Sequence, residues 1–258
     1  MRKDDKYQAE INIINKDYGH RVSFDLKNKN LRKFGRNNDL SNGVEETVWV
    51  TGGVESLPTD NLITHYASSD IADTDISLIV EGHTIDGSGN LTFVTQVITL
   101  QGRTKTALGT PLARCTRCYN AGSTSFAGTV RISRDVSYSN GVPASDIHLT
   151  VLATDQQSLK AATSISSTDY WLVNTVIFSV KRSASTTIDF KLQLRLKNGV
   201  WRTQFATGIS SSQSVYEFVD EDNPLIIPPN SDVRVEAISS ANSATADAIF
   251  GGPLALIY

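Results

Sequence analysis

Cys115 and Cys118, in the run Arg114-Cys115-Thr116-Arg117-Cys118, are the two cysteines of the chain. Such a pair can supply half of a tetrahedral zinc site or a redox couple. No second cysteine pair completes a zinc site, and the four histidines (His20, His65, His83 and His148) are scattered. Redox chemistry sets the motif at a helix start beside a βαβ unit, and neither is apparent around these residues. The expectation is two free thiols on or beside a strand, holding no metal, whose replacement by serine changes stability little.

Two acidic groups could do other chemistry: Asp60, Asp70, Asp73 and Asp75, and the run Asp220-Glu221-Asp222-Asn223. Facing carboxylates across a cleft hydrolyse glycosides, and clustered oxygens bind calcium. Both groups fall in expected loops, where acidic residues serve solvation and turns, and the second lacks the alternating ligand spacing of an EF-hand. No phosphate loop, dinucleotide fingerprint, nucleophile elbow or H-E-x-x-H helix is present. No catalytic residue, metal ligand or cofactor is therefore assigned. Trp49, Trp171, Trp201 and Tyr170 could stack on sugars. Trp49 and Trp171 fall in expected strands and read as core. Trp201 follows a turn and, with Tyr216, is a candidate exposed interaction residue.

The elements that would position these residues are strands. Ile188, Phe190, Leu192, Leu194 and Leu196 alternate with polar residues and so line one face. Asn198-Gly199 then predicts a type I′ turn, with Val200–Phe205 returning as a hairpin. Further strands are expected at 75–81, 91–100, 129–133, 147–152, 171–181 and 232–238, with 82–90 a connecting loop, and the apolar end Leu254–Tyr258 reads as a strand. Asp155–Ala162 is the one stretch that invites a short helix, with Asp155 as its N-cap.

These patterns predict an all-β protein of one or two antiparallel, jelly-roll-like β-sandwich domains with an extended N-terminal arm. The arm is placed at residues 1–45, which are rich in Asn, Lys and Asp and offer little apolar surface to offset ordering entropy. Ile11, Ile13, Ile14, Phe24 and Phe34 are its candidate anchors to a partner, and 21–26 its one strand. The bodies are placed at 46–162 and 163–258, divided at a Ser/Thr-rich stretch.

Composition narrows function further. A net charge of −3 argues against general nucleic-acid binding. No apolar run approaches the roughly 20 residues that span a bilayer, so no membrane partner is expected. Met1 to Lys6 is charged and unlike a secretion signal, so synthesis and first folding in a reducing cytoplasm are expected.

Four stretches carry a resemblance: Asp169–Leu172 with Thr187–Arg195, then Gly199–Thr203, then Ile227–Val235. Together with Ile85–Leu91, Val97–Gly102 and Leu108–Arg114, they make residues 60–258 resemble virion structural proteins of tailed bacteriophages, as carried by marine podoviruses. The motifs are general β-sandwich features. The resemblance implies a non-enzymatic structural role and no catalytic residues. The leading expectation is a capsid decoration or cement protein on the capsid surface that binds the major capsid protein. Self-association is expected with it, a homo-oligomer such as a trimer about a local symmetry axis. The alternative is a tail, adaptor or fibre component that binds a glycan receptor. A carbohydrate-binding module or glycosidase ranks third.

Overall fold

The computed structural model describes residues 10–14, 21–181, 186–210, 215–219 and 223–257. The chain is all-β, with antiparallel sheets in sandwich arrangement and no helix among the described residues. Accordingly, none of them forms a helix long and apolar enough to cross a membrane.

Two apolar cores form. In the first, the sheet of Ile147–Val151, Val130–Ser133, Ile63–Ser68 and Thr106–Leu112 faces the sheet of Leu91–Gln101, Thr74–Ile85 and Arg114–Asn120. Leu78, Val80, Leu100, Leu112, Ile132 and Leu149 fill the space between. In the second core, Thr187–Arg195, Trp201–Ser210 and Asp232–Ser239 face a sheet built on Ala244–Ile257. Phe178 and Phe190 stack across this sandwich at 4.6 Å and 7° between planes, and Trp171 packs on Phe250.

The first unit is an insertion in the second. Glu45–Thr47 pairs with Glu236–Ile238, and Ala162–Ser164 pairs with Asp232–Arg234, so the chain leaves and returns along one strand. Between them the stem closes: Val48 N donates to Val235 O (2.9 Å), Val235 N to Ala161 O (2.8 Å) and Ala161 N to Val48 O (2.9 Å). Gly35 lies directly against this stem. A Cβ there would come within 2.2 Å of both Ala161 N and Val48 O, so only glycine allows the approach.

That contact corrects the reading of residues 21–45 as an arm. Arg21–Leu40 is a single strand paired along Ala244–Ile257, and Leu40 is wholly buried in the second core. The inward-facing positions are Leu31, Lys33, Gly35 and Asn37. Two of these four are polar and one is glycine, so the apolar signal of a strand is missing. Their polarity is met inside the protein: Asn37 donates to Glu46 (3.1 Å), and Lys33 donates to Thr116 O (2.5 Å). Glu10–Ile14 pairs with Arg21–Asp25, while the side chains of Ile11, Ile13, Ile14 and Phe24 lie outside the described residues. Phe34 is half-buried with the Arg36 guanidinium 5.7 Å from its ring, within the sheet of its own chain.

Three local expectations also shift. The hairpin at 187–210 forms, but its turn spans Leu196–Gly199, closed by Gly199 N to Leu196 O at 2.9 Å. Asn198 is its third residue, at φ 56°, and asparagine tolerates that left-handed conformation. The strand expected at 75–81 runs on through Ile85, so the loop shrinks to a turn over 86–90 held by the Asp86 side chain on Ser88 and Asn90. Asp155–Ala162 is not helical. Gln156 takes φ 53°, and its amide donates to Phe126 O and Ala153 O, anchoring an irregular turn.

Candidate functional site

The seam between the units is where charged side chains converge. Lys160, from the returning stem, pairs with Glu55 and donates to the carbonyls of Cys115 (2.8 Å) and His148 (2.9 Å). Burial pushes the Glu55 carboxyl up, and the charge of Lys160 opposes it. Arg114 grips Asp232 through Nε (2.8 Å) and Nη2 (3.2 Å) and donates to Ala113 O and Pro58 O. Asp232 also accepts from Arg195 (2.7 Å) and from Ser164 (2.5 Å). Burial alone would raise this carboxyl, yet Arg114, Arg195 and Ser164 together hold it below the usual range.

A strand irregularity aims these groups. Glu81 pairs with Arg117 while Gly82 pairs with Cys115, so Thr116 is an extra residue in its strand. A one-residue bulge reverses the inside–outside alternation beyond it. Cys115 and Cys118 therefore both face the first core, and Arg114 is left to face the seam.

The cysteines are free and lie in a strand, as expected. They are 1 % and 0 % exposed. Burial pushes Cys115 up to about 12 and Cys118 well above its ordinary value. Among the described residues no group of three His, Cys, Asp or Glu is placed to hold a metal. Asp220, Glu221 and Asp222 lie outside the described residues.

A cleft of about 310 Å³ opens at one end of the seam, lined by both units. Lys33, from the second unit, forms part of its floor. It is 6 % exposed, and its one hydrogen bond among the described residues goes to Thr116 O at 2.5 Å. Burial first, then the charge of Lys160, push its ammonium down to about 7. Opposite lies His83, pushed down to about 4 by burial and set edge-on to Phe93 at 5.4 Å. Its Nδ1 is buried without a hydrogen-bond partner among the described residues. Phe93 is 40 % exposed at the rim. Arg117 stands at the mouth, 4.4 Å over the Tyr119 ring and 4.0 Å from Glu81.

Sequence reasoning singled out none of Lys33, His83 and Phe93. A lone lysine in a polar strand and a lone histidine in an alternating one carry no local signal of convergence. The aromatics fared better. Trp49 and Trp171 are core residues, their indole N–H groups satisfied by Gly53 O (2.9 Å) and Gly252 O (3.1 Å). Trp201 is half-buried, with Arg195 and Arg234 at 5.0 and 4.0 Å from its ring, so little of its face is left for a ligand. Tyr216 lies on Val215–Val219, with its side chain outside the described residues.

No family model matches the chain, and no curated protein matches its sequence. Among solved structures, viral capsid proteins are similar to it only distantly. The VP2 subviral particle of infectious bursal disease virus is 11 % identical, with a TM-score of 0.19 over 79 % of this chain and 78 % of that one. A Cry1Da tryptic core variant from Bacillus thuringiensis is 9 % identical, with a TM-score of 0.21 over 81 % of this chain, which spans only 52 % of the toxin's length. The CBM22 tandem domain of Xyn10C from Paenibacillus barcinonensis is 8 % identical, with a TM-score of 0.22 and 97 % of each chain covered. At such scores none of these similarities carries an argument about function.

Proposed function

We propose that the chain is a non-enzymatic structural protein of a tailed-phage virion, a decoration protein that binds and stabilises the shell of major capsid protein. The observation that supports this most is the strand Trp201–Ser210. Among the described residues it pairs only with Thr187–Arg195 and stands at the end of its sheet. Natural sheets blunt such edges with lysine, proline or a bulge. A bulge at Gln204 does so at one end, since Phe205 pairs with Leu192 but Thr203 with Gln193. Beyond it Ala206-Thr207-Gly208-Ile209 carries no charge and no proline. Such an edge accepts a strand from a neighbour, and a repeating lattice multiplies weak contacts of this kind. The non-enzymatic part rests on the chemistry of the seam, whose ionic groups are largely engaged with one another.

Cryo-electron microscopy of the particles tests this reading. Copies spread over the icosahedral shell are expected, with shell binding weakened at least tenfold by Thr207→Lys. A few copies at a vertex or tail would overturn decoration. They would favour the second reading, a tail or fibre component with a receptor-binding role.

A further inference from the structure

Asn-Gly occurs three times in the chain, in nearly the same local sequence each time: Ser41-Asn42-Gly43-Val44, Ser139-Asn140-Gly141-Val142 and Lys197-Asn198-Gly199-Val200. The amide of an asparagine before glycine is open to attack by the next backbone nitrogen, because glycine has no Cβ to hinder the approach. Local sequence thus gives all three a similar intrinsic reactivity. Folding sets them apart, since each lies in a turn that must open locally before the nitrogen can swing onto the side chain.

Asn42 is tied to a distant part of the chain. Its N–H donates to Asn242 Oδ1 and that of Gly43 to Ser239 O, both at 2.8 Å. Asn140 is held through its neighbour. Gly141 is buried, and a Cβ there would come within 1.8 Å of Ser68 O and 3.2 Å of Arg103 Cα, so rotating this peptide unit pushes on other strands. At Asn198 nothing comparable restrains the turn. Leu196 to Val200 are all exposed, and the Asn198 amide makes no hydrogen bond among the described residues. The Gly199 N–H donates only within its own turn, to Leu196 O at 2.9 Å. The turn reaches the inserted unit through the exposed Lys197 side chain, which donates to Asn90 at 3.0 Å.

We propose that Asn198 is a site of spontaneous deamidation, and that it alone of the three converts readily in the folded protein. Gly199 N attacks Asn198 Cγ and gives up its proton. The bond from Cγ to the side-chain nitrogen breaks, and that nitrogen leaves as ammonia. Water then opens the cyclic imide. Cleavage of the bond between Cγ and Gly199 N yields aspartate. Cleavage at the main-chain carbonyl yields isoaspartate, whose backbone runs through Cγ and is one methylene longer. Either product puts a negative charge in a groove of about 340 Å³ between the two units, which Arg195, Lys197 and Asp86 also line. A charge placed there acts on those neighbours as any charge-changing modification does. The reaction needs no shell and no ligand, so it stands or falls apart from the virion reading.

The test incubates the full chain at mildly alkaline pH and physiological temperature, with a parallel sample unfolded in guanidinium. Peptide mass spectrometry follows the exchange of amide NH2 for OH at each asparagine, and an isoaspartate assay reads the second product. In guanidinium the three sites are expected to convert at similar rates. In the folded chain Asn198 is expected to convert at least tenfold faster than Asn42 and Asn140, giving both products. Asn198→Gly is expected to abolish most of the isoaspartate formed by the folded protein. Equal rates at the three sites in the folded chain, or a faster Asn42 or Asn140, would overturn the proposal. So would an Asn198 that stays intact in the folded chain while the guanidinium sample converts.

Discussion

The core of the second unit is packed from Trp171, Phe178, Phe190, Phe250 and aliphatic neighbours, whereas the seam beside it buries Lys33, Glu55, Arg114, Lys160 and Asp232. Both are buried, but they are held differently. Core contacts are non-directional and scale with the apolar area removed from water. Seam contacts are directional, and each charge there is tolerable only while its partner stays in place. The core should thus tolerate apolar replacements of similar volume, while the seam fixes one relative placement of the inserted unit on its host.

Removing residues 1–45 is the most severe way to break this contrast, because it strips both regions at once. It takes the strand paired along Ala244–Ile257, the core residue Leu40, the seam residue Lys33 and the stem-contacting Gly35. The truncated protein is expected to show no cooperative thermal transition by circular dichroism. A sharp transition near that of the full chain would restore the independent arm.

Single changes then separate core from seam. Phe190→Ala is expected to cost about 3–5 kcal/mol in denaturant unfolding, through lost burial and a cavity. Lys160→Met is expected to cost about 3–5 kcal/mol by leaving Glu55 without its partner. Adding Glu55→Leu to Lys160→Met should recover part of that loss, although the carbonyls of Cys115 and His148 stay without their donor. A double variant less stable than Lys160→Met alone would show that the pair is not the unit of the seam.

The cysteine pair sharpens the contrast from the core side. Both thiols are buried among aliphatic residues, so Cys115→Ser with Cys118→Ser is expected to lower stability by about 2–5 kcal/mol, a hydroxyl being costly in an apolar site. This reverses the small effect expected from the sequence. An unchanged melting temperature would mean that the new hydroxyls find partners.

Acid gives the smallest effect. Burial pushes His83 down to about 4 and His148 to about 3, from an ordinary 6.5. The unfolded chain therefore takes up protons near pH 6.5 that the folded one refuses, and stability falls as pH drops through this window. Each histidine should contribute about 2 kcal/mol of loss between pH 6.5 and 5, at about 1.4 kcal/mol per pH unit. Glu236, pushed up to about 7 by burial, acts in the opposite sense between pH 7 and 4.5, so the histidine slope is read as the difference between the parent and His148→Phe. Parallel profiles for the two would show that His148 does not set the acid limb.

Alternation by itself determined most of the strands. Ile188 to Leu194, Val233 and Val235, and the last apolar residues sit in strands because period two is local and needs no knowledge of partners. It also determined that Trp49 and Trp171 are core. Only the tertiary structure decided that residues 21–40 belong to the second unit, since their inward positions include Lys33, Gly35 and Asn37, whose burial depends on acceptors and backbone far away in the chain. The same holds for the two cysteines, brought to one face by a bulge that spacing does not reveal. The cleft also belongs to the tertiary structure, because Lys33, His83 and Phe93 come together only when the inserted unit closes on its host. Apolar periodicity is written residue by residue, but a buried charge makes sense only beside the partner that long-range folding brings to it.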